Sequence, residues 1–299
     1  MREEILKCLG SFPERPDNLD IVILEELDKI DYIQQLIEYT VQENERVMSY
    51  LLIPKDVKDN IPAILAIHQH AEQWHIGKSE VVGLAGDSMF AYGLDLVKKG
   101  FVVIAPDLLC FETRIRENFR ANPELQRLNE RFEFTKYILG GSCLQTKYLH
   151  DLSVAIDVLE TLPYVDAKNI GAIGHSLGGQ ETVFITWYDS RIKAGVSSCG
   201  VSTVKAILEH EISHNFALYI PNLISVCDID EVVRQISPRS IILTNGIYDE
   251  ALFPLDGVKQ IEDTNTNNED FRLIRFNDGH RFNDAEKEVA YSWLIDRLC

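Results

Sequence analysis

Residues 169–180, Asn-Ile-Gly-Ala-Ile-Gly-His-Ser-Leu-Gly-Gly-Gln, constrain the fold more than any other stretch of the chain. An apolar run of strand length ends at Gly174, the chain turns at once, and a helix is predicted from near Gly179. A serine at the tip of so tight a strand-to-helix connection is forced into a strained backbone, and bulk two residues away on either side would collide with neighbouring segments. Glycine at 174 and 178 meets that demand and yields the G-x-S-x-G pattern of a raised, reactive serine. The turn lifts the Ser176 hydroxyl above the sheet and puts a helix N-terminus, with its free N–H groups and partial positive charge, beneath it. A helix-capping turn around a buried serine would use the same letters. The strand and helix contexts, and the partners below, favour the reactive reading.

The flanking chain alternates between strands and helices. Residues 63–67 and 101–105 are continuous apolar runs, and residues 89–99 between them read as a helix ended by Gly100. Strands without polar alternation are buried on both faces, as in a parallel sheet covered by helices. A helix over 147–162, a lead-in at 164–168, a post-turn helix ending near Tyr188 and strands at 192–198, 241–244 and 271–276 continue the pattern. Residues 32–39 and 46–53, joined by a polar turn, predict an antiparallel hairpin at a sheet edge. Residues 1–31 read as one or two short helices packed on the body. The last helix is predicted to begin at Asn283, with Glu286 completing a capping box and Val289, Trp293 and Leu294 facing inward. The expectation is one doubly wound α/β domain over 1–299, with a helical extension at 1–31, a long irregular insertion at 107–146 and a second long insertion at 199–239. Its active edge lies at the carboxyl ends of the strands.

Composition narrows the partners. With 29 basic and 47 acidic residues the net charge is -18, which argues against nucleic acid or an anionic membrane surface and suits a small neutral substrate. The N-terminus lacks a signal-peptide core and no run approaches bilayer length, so a soluble, cytoplasmic protein is expected. Six scattered cysteines without C-x-x-C spacing point to reduced thiols rather than a zinc site or disulfide scaffold. Cys110 and Cys199 follow active-edge strands and either line the site or pack as small hydrophobes.

A serine hydroxyl needs a base to take its proton and an acid to hold that base. His280 follows the strand at 271–276 through Asn277-Asp278-Gly279, and no other histidine lies beyond position 214. Asp249 follows the strand at 241–244, with Glu250 and Asp256 as nearby rivals. The Leu177 N–H is the first oxyanion donor expected. The second falls in the loop His68-Gln69-His70-Ala71, with the His70 backbone first and Gln69 or Ala71 as alternatives. His68, His70 and His75 could instead form an H-x-H-x4-H metal cluster. The favoured role for His68 is a brace that hydrogen-bonds backbone, and no metal or cofactor is expected.

These motifs together resemble an α/β-hydrolase of the dienelactone hydrolase and acetyl xylan esterase type, across residues 46–298. The resemblance rests on residues 67–70, on Val103-Ile104-Ala105-Pro106-Asp107 with Phe111-Glu112-Thr113-Arg114, and on Gly174 to Gly179. It rests further on Pro238-Arg239, on Gly246 to Asp249 with Phe253-Pro254, and on Asp278-Gly279-His280. It implies an α/β-hydrolase fold and carboxylic ester hydrolysis through an acyl-serine, with Ser176, Asp249 and His280 as triad and no cofactor. Two departures matter. Dienelactone hydrolases proper use a cysteine where this chain has Ser176, and Gln69 stands where many hydrolases have glycine. Phe216, Tyr219 and Leu223 in the second insertion either cap an acyl or alcohol group or pack on the surface or against a second copy of the chain. A peptidase or amidase using the same triad, a non-catalytic ligand-binding protein on this scaffold and a metal-dependent hydrolase are the competing expectations.

Overall fold

The computed structural model describes residues 1–55 and 60–299. A nine-stranded sheet runs through it in the order β1-β2-β3-β5-β4-β6-β7-β8-β9. The strands are β1 (Val22–Asp28), β2 (Tyr32–Gln42), β3 (Glu45–Pro54), β4 (Ile61–Ile67), β5 (Val102–Pro106), β6 (Val165–His175), β7 (Ile192–Ser198), β8 (Ser240–Gly246) and β9 (Phe271–Phe276). β1, β2 and β3 form an antiparallel meander that joins β5, and from β5 onward every pairing is parallel. The central strands are buried on both faces, as their unbroken apolar runs require. Leu65 and Ile67 feed one core layer, while Ile64 and Ala66 feed the other.

The helices are α1 (Arg2–Leu9), α2 (Lys78–Val81), α3 (Tyr92–Val97), α4 (Pro123–Leu139), α5 (Leu144–Thr161), α6 (Leu177–Tyr188), α7 (Val204–Glu209), α8 (Leu223–Val226), α9 (Ile229–Arg234), α10 (Leu255–Asn265) and α11 (Asp284–Leu298). From β4 the chain goes out to β5 on one side and then back to β6 on the other. The carboxyl ends of β4 and β6 are therefore neighbours at a topological switch, where such folds bind ligands.

Three expectations need correction. Residues 1–31 hold one helix, α1, followed by the strand β1 instead of a second helix. Apart from the partly buried Leu27, β1 is exposed throughout, so pairing with β2 rather than core burial holds it in place. The insertion at 107–146 is not irregular but contains the 17-residue helix α4. α4 turns Gln126, Asn129, Glu130 and Glu133 inward and leaves Leu128 and Phe132 outside, which inverts the pattern that marks a helix. The helix expected at 89–99 is a 3-10 turn at Ser88–Phe90 and then the shorter α3.

The charged motif after β5 builds a buried brace. Lys78 Nζ meets Asp107 Oδ2 at 2.9 Å and Glu112 Oε1 at 2.5 Å. Arg114 pairs with Glu45 and with Asp151, and Lys147 lies 2.9 Å from both of those carboxylates. Arg239 closes the C-terminal end of α6 by donating to the carbonyls of Thr186, Trp187 and Asp189, joined by Arg2 on Trp187 and Tyr188. Cations at a helix C-terminus satisfy its free carbonyls and oppose its dipole.

Candidate active site

Ser176 sits between β6 and α6 with φ 55° and ψ -119°. That left-handed backbone is held from both sides: the Ser176 N–H donates to the Ser198 carbonyl at 2.8 Å, and the Ser176 carbonyl accepts from Gln180 N–H at 2.9 Å. A Cβ on Gly174 would lie 2.2 Å from the Gly178 carbonyl, and one on Gly178 would lie 2.0 Å from the Ile67 carbonyl oxygen. The glycines therefore let the turn close and let it settle on the end of β4. As the first residue of α6, Leu177 has no carbonyl one turn back to take its N–H.

His280 and Asp249 come together although 31 residues separate them, with His280 Nδ1 at 2.7 Å from Asp249 Oδ2. Their loops are stitched by Tyr248 N–H to the Asp278 carbonyl at 3.0 Å and Ile247 N–H to the Phe276 carbonyl at 2.9 Å. Asp249 is buried. Of its rivals, Asp256 pairs with His210 on the surface at 3.1 Å, and Glu250 is exposed. The His280 ring lies 4.6 Å from that of His175, the neighbour of Ser176, and stacks on Phe253 at 5.8 Å. Among the described residues no hydrogen bond joins Ser176 Oγ to His280, whose Nδ1 is engaged by Asp249.

The loop after β4 is fixed from several directions. His68 Nε2 accepts the Leu108 N–H at 3.1 Å, so its Nδ1 carries the proton and donates to the Gln69 carbonyl at 2.8 Å. This is the bracing role expected of it. Gln69, in the place of a glycine, turns its amide to Glu80 Oε1 at 2.9 Å, and burial pushes the Glu80 carboxyl up to about 7. His70 Nδ1 accepts from Glu72 N–H, which leaves Nε2–H to donate to Glu130 at 3.0 Å, where Trp74 Nε1 also donates at 2.8 Å. Both ring nitrogens of His68 and of His70 are thus engaged with protein, and His75 is exposed, so the three do not converge as metal ligands.

Cys199 Sγ, an Asp249 oxygen and a His280 nitrogen lie within 4.8 Å of one another, the donor set here that a metal ion could use. Cys199 and Cys110 are both fully buried, and burial pushes both thiols well above their usual range. They pack as small hydrophobes. In the second insertion, Phe216 and Tyr219 gather around Phe134 of α4 with ring centroids 4.8 and 6.2 Å away, while Leu223 is part of the core. That insertion also delivers His214 to the site, where it packs edge-on against Phe253 at 4.9 Å. Sequence reasoning gave His214 no role, because no strand end marks its position.

Over 265 residues the chain is 26% identical to YtaP of Bacillus subtilis (strain 168), described as a hydrolase, covering 87% of this chain and 84% of that one. It shares its fold with a Bacteroides fragilis NCTC 9343 protein described as an acetyl xylan esterase, at TM-score 0.73 and 17% identity, covering 91% of this chain and 73% of that one. A glucuronoyl esterase from Solibacter usitatus gives TM-score 0.66 at 14% identity, covering 98% and 91%. Residues 47–293 match the dienelactone hydrolase family, and the chain belongs to that family.

Proposed function

We propose that this carboxylic ester hydrolase works through an acyl-serine formed on Ser176. The observation that carries the reading is the 2.7 Å contact between His280 Nδ1 and Asp249 Oδ2, beside a serine held at φ 55° on a helix N-terminus. Asp249 accepts a hydrogen bond from Nδ1–H of His280, which keeps the proton on Nδ1 and the lone pair on Nε2. His280 takes the Ser176 proton as Oγ bonds to the ester carbonyl carbon, and the N–H groups of Leu177 and His70 receive the oxyanion. The bond to the alcohol oxygen breaks as His280 returns the proton to it. Water, deprotonated by His280, then releases the acid. The substrates are small-molecule esters reached beneath the insertions at 107–146 and 199–239, which act as caps on a single domain. Six free cysteines support a cytoplasmic location, and no described helix is long and apolar enough to cross a membrane.

Ser176→Ala is expected to lower kcat for a short-chain aryl ester by roughly 10⁶, and Asp249→Asn by roughly 10⁴, with unchanged circular dichroism. Retained turnover in Ser176→Ala would exclude this serine as nucleophile.

A further inference from the structure

The proton on His214 can be placed from its neighbours. Asn215 Oδ1 accepts the N–H groups of Ala217 at 3.0 Å and Leu218 at 3.2 Å, which fixes which end of the amide is oxygen. The other end, Nδ2, lies 3.0 Å from Gln180 Oε1 and 2.9 Å from His214 Nδ1. An amide nitrogen only donates, so His214 Nδ1 accepts. The single proton of the neutral ring is then on Nε2. Gln180 is oriented in the same way, because its Nε2 donates to Gln145 Oε1 at 3.0 Å and to Glu181 Oε1 at 3.3 Å. Tyr219 Oη accepts the backbone N–H of His214 at 2.8 Å and anchors the residue from the other side.

Burial, with His70 and His280 nearby, depresses the His214 imidazole to about 4. At neutral pH its Nε2–H is therefore an uncharged donor. Nε2 is buried and has no hydrogen-bond partner among the described residues. Buried donors are seldom left unmet, and an unmet one calls for a functional account. The location supplies that account. His214 and His280 pack against the same side chain, Phe253, at 4.9 and 5.8 Å. His280 must hand its proton to the departing alcohol, so the alcohol portion of the ester occupies this end of the site.

We propose that His214 is a specificity-determining residue whose Nε2–H donates to a second oxygen, hydroxyl or ether, carried by the alcohol portion of the ester close to the scissile bond. The inference rests on the acyl-serine reading above. An uncharged donor in a protein of net charge -18 suits a neutral oxygen better than an anionic one.

The test compares two acetates of matched shape, 2-methoxyethyl acetate and butyl acetate, with wild type, His214→Phe and His214→Gln. Phenylalanine keeps the ring against Phe253 without the donor, and glutamine restores an N–H near the Nε2 position. Relative to wild type, His214→Phe should lose roughly tenfold more kcat/KM on the methoxyethyl ester than on the butyl ester, and His214→Gln should recover part of that difference. Unchanged discrimination in His214→Phe, or equal losses on both esters in both variants, would overturn the assignment and leave the esterase reading standing. A wild-type protein that hydrolyses neither ester, while Ser176 resists a fluorophosphonate, would overturn both.

Discussion

At Glu286 burial competes with ionisation. Its carboxyl lies at the carboxyl ends of β7 and β8, accepting from Ser198 Oγ at 2.7 Å and from Thr244 Oγ1. Removal from water pushes it from an ordinary 4.5 up to about 7. An acid whose folded value is raised holds its proton longer when folded, so its stabilising effect is complete below about 4.5 and is lost as pH rises through about 7. The full change is about 3 kcal/mol. Glu286→Gln keeps the acceptor and removes the charge. Its unfolding free energy should therefore fall less than that of wild type between pH 5 and pH 8 in denaturant titrations; parallel slopes would place the charged form in the folded protein at low cost. The sequence marked Glu286 only as half of a capping box. The structure uses the other half: Asn283 Oδ1 caps the Glu286 N–H at 3.0 Å, while the Glu286 side chain goes to the two hydroxyls. Ser176, Asp249 and His280 stood out in the sequence because each follows a strand end. His214 was not, since its position depends on how an insertion folds back.

The N-terminus of α11 links stability to the proposed base, His280. Asn283 caps the helix and also donates to Asp278 Oδ2 at 3.0 Å, while Asp278 Oδ1 accepts the Gly279 N–H at 2.8 Å in the turn just before His280. Asn283→Ala should cost about 1 kcal/mol in thermal or denaturant unfolding and should lower kcat a few-fold as the turn loosens. Asn283→Ser should regain the cap and not the kcat, whereas a stability loss with unaltered kcat would show the turn to be held without Asn283. Elements were readable in proportion to how plainly they bury an apolar face. β5 does so without interruption, and β4 and β7 do so but for Pro62 and Lys193. α4 hides its polar residues because its inner face serves His70, Trp74 and Arg116, with Glu130 and Glu133 as their acceptors. β1 gains from backbone pairing what periodicity cannot reveal, and its Leu and Glu residues read as helix.

Across the whole molecule, one sheet carries the site at the meeting of β4 and β6, and the two insertions close on each other above α6. Their aromatic contact through Phe134 and Phe216 joins segments with no pattern in common, so the sequence did not show how they meet. The strong negative charge sets the long-range field in which substrates arrive, while the proposed chemistry depends on Ser176, His280 and Asp249 acting together at short range. The direct test of that chemistry is to acid-quench the enzyme during its first turnovers of 4-nitrophenyl acetate and map the modified peptide by mass. One acetyl group on Ser176, absent in Ser176→Ala, is the predicted result. Hydrolysis that proceeds with no acetyl on Ser176, or with the acetyl on Cys199, would contradict it.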